Sequence, residues 1–263
     1  MENFDGKVAL ITGGGTGIGA AVAQRFCAAG GRAVLMGRRE DPLKAVARRL
    51  GGLIAVGDAA DAGDVRRALQ LARDRFGGVD VLVANAGGHG IGNVMGTDDD
   101  SWRLSTRLNL DTAFVCTREL MPELIERRGN VVILSSLAGH FAGPDVVGYV
   151  TMKHALLGFT KSIARDYGRY GVRANAVCPG WVKTDMADEQ MQGLVNAGKA
   201  SDVEDAYRLV TQHLPLRRPA TPLDVANVVM FLASDSAAMV TGTSLLVDGG
   251  ASSVDLPTIA FAD

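Results

Sequence analysis

The sequence predicts an α/β fold: a doubly wound, mostly parallel sheet of seven strands with helices on both faces. Two observations carry this expectation. Seven short runs rich in Val, Ile and Leu, at Val8 to Ile11, Ala33 to Met36, Leu53 to Val56, Val79 to Ala84, Asn130 to Leu134, Arg173 to Val177 and Ser244 to Val247, are continuously apolar rather than alternating. Strands covered on both faces read this way, and helix-length segments lie between the runs.

Each element has its own local signal. The first run feeds a glycine-rich turn and a helical stretch over Ala20 to Ala29. The second leads to a segment with Pro42 near its start and Gly51 after its end, and Gly77-Gly78 closes the next; proline early and glycine at the stop is the helical asymmetry. The strand–helix alternation continues to the last run. Crossovers of this kind are right-handed, and the ligand crevice lies at the carboxyl ends of the strands. No repeat, low-complexity tract or linker marks a boundary, so residues 1–263 are expected to form one domain. The segment 185–218 is polar, carries Met and Gln and lacks a strand, as a lid over substrate would. A tail, 252–263, follows Val247-Asp-Gly-Gly250.

Bulk composition narrows the function classes. With 263 residues, 47% of them hydrophobic and 5% aromatic, the chain can build a core from small aliphatic side chains. A formal net charge of -2 leaves no basic surplus for a phosphate backbone, so no nucleic-acid partner is expected. No apolar stretch reaches the roughly twenty residues that cross a bilayer. Glu2, Asp5 and Lys7 precede the first apolar run, unlike a secretory signal, and a cytoplasmic protein is expected. Cys27, Cys116 and Cys178, and the scattered His89, His140, His154 and His213, have no metal-ligand spacing, so no metal is expected.

Val8-Ala-Leu-Ile-Thr12 runs directly into Gly13-Gly-Gly-Thr-Gly17-Ile-Gly19. This is the strand–turn–helix order of a Rossmann-type dinucleotide site: glycines allow close backbone approach, and the helix N-terminus offers free N–H groups to a pyrophosphate. Gly13, Gly15, Thr16, Gly17, Ile18 and Gly19 are the predicted contacts. At the end of the second run, Gly37-Arg38-Arg39 holds no carboxylate for ribose hydroxyls. Gly37 leaves room for a 2′-phosphate that Arg38, with Arg39 beside it, can bind through charge-assisted hydrogen bonds. NADP(H) is therefore preferred, with NAD(H) as the alternative. The competing reading is a solvated pair of arginines tied up by Glu40 and Asp41.

Reducing a ketone takes a hydride from the nicotinamide and a proton for the developing alkoxide. A phenol with a pKa near 10 can give that proton once something makes it more acidic. In a helix starting near Tyr149, Lys153 lies one turn on and shares its face, and its ammonium together with the positive charge of an oxidised nicotinamide is expected to lower the tyrosine's pKa. Cys178 reads as a small buried hydrophobe.

The spacing Thr-Gly-x-x-x-Gly-x-Gly, followed by Asn85-Ala-Gly87, Asn109, Ser136, Tyr149-x-x-x-Lys153 and Pro179-Gly180, resembles the short-chain dehydrogenase/reductases over nearly the whole chain. Ala84, where many relatives have a second Asn, and the C-terminal tail depart from the pattern. The resemblance implies an NAD(P)-dependent oxidoreductase acting on CH–OH groups. It implies catalytic roles for Asn109, Ser136, Tyr149 and Lys153. Asn109 would hold a water linking Lys153 to solvent, Ser136 would donate to the substrate oxygen, and Lys153 would also bond the nicotinamide ribose, with Tyr149 beside it. The register of Leu137-Ala-Gly139 favours Ser136 over Ser135. Asp58 would meet the adenine amino group, with Ala59 adjacent. Asn85, Ala86 and Gly87 would flank the middle of the cofactor, and Pro179, Gly180, Val182 and Thr184 its carboxamide. A homotetramer, a dimer of dimers through long helices and the last strand, is also implied.

His89, Phe141, Val147, Trp181 and Met186 could line the substrate side and carry no assigned role. Three functions remain open: an NADPH-dependent reductase of a ketone or 3-oxoacyl group; an NAD-dependent dehydrogenase of a sugar, polyol or other secondary alcohol; and a nucleotide-binding protein without turnover.

Overall fold

In the computed structural model, which describes residues 3–261, the apolar runs pair into one seven-stranded sheet in the order β3-β2-β1-β4-β5-β6-β7. The strands are β1 Val8–Thr12, β2 Arg32–Gly37, β3 Leu53–Val56, β4 Val81–Ala84, β5 Asn130–Leu134, β6 Arg173–Pro179 and β7 Ser244–Val247. Every pairing is parallel, so the sheet is wholly rather than mostly parallel. β4 starts at Val81 and not at Val79. Asp80 accounts for the delay, because its carboxylate accepts the Val8 N–H at 2.9 Å ahead of the β1–β4 ladder.

The continuous apolar runs are explained by two separate cores. On one face, α1 Gly17–Ala28, α2 Glu40–Leu50 and α9 Pro222–Ala233 cover Ala9, Ile11, Leu35, Val83 and Val132. On the other, α3 Ala62–Phe76, α5 Thr112–Arg127 and α6 Val147–Tyr167 cover the alternate strand residues Leu10, Val34, Met36, Leu82 and Ile133. Each such fully buried Leu or Ile contributes roughly 1.5–3 kcal/mol. The helices stop where the sequence punctuates them: Gly51 and Gly77 take left-handed conformations at φ 66° and 84° after α2 and α3.

Residues 185–218 fold as two helices, α7 Asp185–Asn196 and α8 Val203–Thr211, after the short α4 Asp99–Thr106 and the longer elements already named. Thr184 and Asp202 cap them through side-chain oxygens, and Met191, Ala187, Ala206 and Tyr207 give the pair a small core of its own. The segment is thus a packed unit seated past the end of β6. The tail forms short 3₁₀ turns at Ala251–Ser253 and Leu256–Phe261, with Leu256 and Phe261 exposed; Ala262 and Asp263 lie outside the described residues.

Candidate active site

The glycine turn is built against the end of β4. The Thr12 hydroxyl accepts the N–H groups of Asn85 (3.0 Å) and Ala86 (2.9 Å), and Asn85 Nδ2 donates back to the Thr12 carbonyl at 2.9 Å. Gly13 and Gly17 hold positive φ values of 64° and 52°, and a side chain at Gly19 would collide with the Gly13 carbonyl. Thr16 supplies no side-chain cap to α1, so the first-turn N–H groups are left to a ligand at the helix's positive end. Gly15 packs closely on Pro42, while Ile18 packs against the core behind the turn. A backbone cradle with uncapped amides and no room for a Cβ suits a dinucleotide pyrophosphate.

At the adjoining strand ends, Arg38 and Arg39 are exposed after Gly37, and Glu40 pairs with Lys44 at 3.0 Å rather than with either arginine. Asp58 follows β3, with buried Ala59 beside it. Its Oδ1 accepts the Ala60 N–H at 2.9 Å and its Oδ2 accepts from Arg107 Nη2 at 2.8 Å. Burial pushes its pKa up, but the Ala60 amide and Arg107 outweigh this and hold it below the usual carboxylate range.

Tyr149, Lys153 and Ser136 come together across the ends of β5 and α6. Tyr149 lies two residues into α6, its N–H donating to the Gly90 carbonyl at 3.4 Å. Lys153 is 5% exposed, and its Nζ donates to the Leu134 carbonyl at 3.0 Å and lies 5.4 Å from the Tyr149 ring centroid. Ser136 accepts the Ala138 N–H at 3.1 Å and sets its hydroxyl beside the phenol, whereas Ser135 is spent on the Lys153 carbonyl at 2.9 Å. Asn109 sits in a single π-helical turn, Arg107–Asp111, between α4 and α5. Its Oδ1 accepts the Gly88 N–H at 3.1 Å and its Nδ2 donates to the Ser105 carbonyl at 3.1 Å. A Cβ on Gly87 would lie 3.4 Å from Asn109 Oδ1 and 3.6 Å from Lys153 Nζ, so these groups meet at that glycine.

Desolvation sets the electrostatics of the tyrosine and the lysine. Burial pushes the Tyr149 phenol up, with Ser136 opposing, and it lowers Lys153 to about 8. The acidifying charge expected from Lys153 together with an oxidised nicotinamide therefore has this desolvation to act against. In the folded protein desolvation acts on both groups and favours the neutral form of each.

Residues 13–252 match the family model described as enoyl-(acyl carrier protein) reductase. The chain belongs to the short-chain dehydrogenase/reductase family. It is an NAD(P)-dependent oxidoreductase acting on CH–OH groups. Protein MoaE of Klebsiella aerogenes is 45% identical, with 97% of this chain and 99% of the relative covered. Meso-2,3-butanediol dehydrogenase of Serratia marcescens is 35% identical over 96% of this chain and 97% of its own length. The structure of L-sorbose reductase from Gluconobacter frateurii complexed with NADPH and L-sorbose superposes with a TM-score of 0.88 at 30% identity, covering 95% of this chain and 97% of that one.

In this short-chain dehydrogenase/reductase the loop after β6 joins the crevice to the α7–α8 unit. The Gly180 N–H donates to the Val247 carbonyl at 3.0 Å, and buried Val182 bridges to Ala220. Thr184, the α7 cap, sets its methyl 3.2 Å from where a Gly17 Cβ would stand, so this loop overhangs the glycine turn. Pro179 closes β6 beside Cys178, whose thiol burial pushes up to about 11. Three contacts escaped the sequence reading. Thr12 ties the two strand ends, and its place immediately before Gly13 was a usable signal. Arg107 reaches Asp58 across 49 residues, and His89 Nδ1 lies 3.1 Å from Gln190 Nε2 on α7. Neither pair had a sequence signature.

Proposed function

We propose that this enzyme transfers hydride between NADP(H) and a carbonyl or secondary alcohol, working as a reductase of a ketone or 3-oxoacyl group. The observation that carries the reading is the meeting of Tyr149, Ser136 and buried Lys153 at the strand ends that also hold the glycine turn. Gly13, Gly15, Thr16, Gly17, Ile18 and Gly19 would hold the pyrophosphate, and Arg38 and Arg39 the 2′-phosphate. Asn85 keeps the turn in shape, with Ala86 and Gly87 continuing the wall. Pro179, Gly180, Val182 and Thr184 would fix the nicotinamide. When bound, the cofactor supplies or accepts the hydride.

The chain's own groups handle the proton. Ser136 donates to the substrate oxygen and steadies its developing charge. Tyr149 gives its proton to that oxygen, and Lys153, with its Nζ 5.4 Å from the ring centroid, stabilises the resulting phenolate. Burial favours the neutral phenol, so the phenolate would draw on nearby positive charge, from Lys153 and from an oxidised nicotinamide when one is bound. The Asn109 side chain is committed to Gly88 and Ser105, so a water relayed to Lys153 would use a main-chain oxygen of that turn.

Exposed Phe114 on α5 and Leu246 on β7 suit burial between copies and support a homotetramer. We further propose one cytoplasmic domain spanning 1–263, small-molecule substrates, and no nucleic-acid or membrane partner; no helix among the described residues is long and apolar enough to cross a membrane. The exposed arginines after β2, which Glu40 leaves for Lys44, favour NADP(H), and NAD-dependent oxidation of a polyol is the second reading, kept because a butanediol dehydrogenase is among the relatives. Initial rates over a panel of ketones, 3-oxoacyl thioesters and polyols, each with both cofactors, test the choice. Faster ketone reduction with NADPH is expected; equal or better use of NADH would overturn the cofactor assignment.

A further inference from the structure

Asp58 does not stand alone at the end of β3. Beyond its bonds to Ala60 and Arg107, its own N–H donates to the Asp64 carboxylate at 2.7 Å, so the acid is fixed through backbone and side chain together. Arg107 opens the π-helical turn that carries Asn109, and its guanidinium reaches Asp58 after β3. The two side chains remain 50% and 28% exposed. They therefore form an open wall of the crevice and no part of the core. The N–H of Gly57, the residue before Asp58, donates to the Gly37 carbonyl at 3.0 Å, so the pair stands beside the end of β2 that carries Arg38.

A dinucleotide with its pyrophosphate at the N-terminus of α1 and its ribose at the end of β2 carries its adenine onward over the end of β3. A lone carboxylate there would accept from a 6-amino group and repel a 6-oxo group. A carboxylate joined to a guanidinium offers an acceptor and a donor on one edge, with a planar cation for the ring to lie against. We propose that Arg107 is a cofactor-binding residue and that, paired with Asp58, it makes the purine site indifferent to whether position 6 bears an amino or an oxo group. The proposal rests on the dinucleotide reading above and extends it to a residue that no motif reports.

The test is direct titration of the full-length protein with NADPH and with its hypoxanthine analogue, following nicotinamide fluorescence. The NADH pair is run in parallel, so the outcome does not depend on the 2′-phosphate assignment. The wild type should bind the amino and oxo forms within about threefold of each other, since either finds a partner. Arg107→Leu should weaken the amino form by about tenfold and the oxo form by at least tenfold more, because the bare Asp58 carboxylate then faces an oxygen. Adding Asp58→Ala to Arg107→Leu should bring the two forms back together. Tenfold discrimination by the wild type, or an amino-to-oxo ratio unmoved by Arg107→Leu, would overturn the proposal while leaving the dinucleotide site standing. Binding of no dinucleotide at all would remove both.

Discussion

Lys153 should cost this protein stability in exchange for chemistry, and Lys153→Met should recover it. The side chain is 5% exposed, burial lowers its pKa from 10.5 to about 8, and no carboxylate among the described residues pairs with it. At about 1.4 kcal/mol per unit, that displacement amounts to roughly 3 kcal/mol held against the protonated fold. Losing the bond from Nζ to the Leu134 carbonyl gives back about 1 kcal/mol. The net gain at pH 7 is therefore about 2 kcal/mol, which for a chain this size raises Tm by roughly 4–8 °C. The sign of the pH dependence follows. The folded pKa lies below the unfolded one, so the unfolded chain holds more protons between about 8 and 10.5. Wild-type stability consequently rises through that window, and the advantage of Lys153→Met is full below pH 8, shrinks through it and is reversed by about 1 kcal/mol, the lost hydrogen bond, above 10.5. Urea denaturation of both proteins, without cofactor, at pH 7 and at several points up to 10.5 measures this. A Lys153→Met protein that is less stable at pH 7, or an advantage that does not shrink as pH rises, would refute the burial argument.

Other outcomes follow from the charges. Arg38→Ala should raise KM for NADPH by about 10- to 100-fold, the value of a charge-assisted contact, and move KM for NADH by less than about threefold; paired steady-state titrations check it. Glu123, on α5, accepts from Arg73 and Arg127 at 2.9 and 2.7 Å and from the Val79 N–H at 3.3 Å. Glu123→Gln should cost about 2 kcal/mol in denaturant titrations without changing KM, since this node is at the opposite end of the sheet from the crevice. Burial raises the Glu123 pKa, but its arginines prevail and lower it overall. The difference between wild type and Glu123→Gln should thus be present above the ordinary carboxylate range and fade as pH falls through the depressed folded value.

Much of the architecture was legible because it is local. Ile11 and Leu10 face opposite cores, so neither face of β1 needs a polar residue, and the run reads as a buried strand. Gly51 and Gly77 end their helices through a conformation that their composition announces. The crevice was legible wherever chemistry follows chain order, as from Thr12 through Gly19. It was illegible where distant segments meet. Spacing put Lys153 one turn from Tyr149, but the depth at which both are buried depends on β5, α6 and the loop carrying Gly90, and burial decides the pKa of each. Likewise Asp58 gave no hint of Arg107, because the two lie 49 residues apart and meet only once the end of β3 and the turn before α5 are folded together. The α7 and α8 caps, Thr184 and Asp202, were readable as helix starts in a segment expected only to be a polar lid.

Removal of one oxygen probes the catalytic assignment most directly. With Tyr149→Phe, single-turnover NADPH oxidation in the presence of a reducible ketone should slow by about a thousandfold, the range of a lost general acid. NADPH affinity, read from its own fluorescence, should change by less than about threefold, since the ring and the bond from Lys153 to Leu134 are kept. Turnover within tenfold of wild type by the phenylalanine variant would contradict proton delivery by Tyr149.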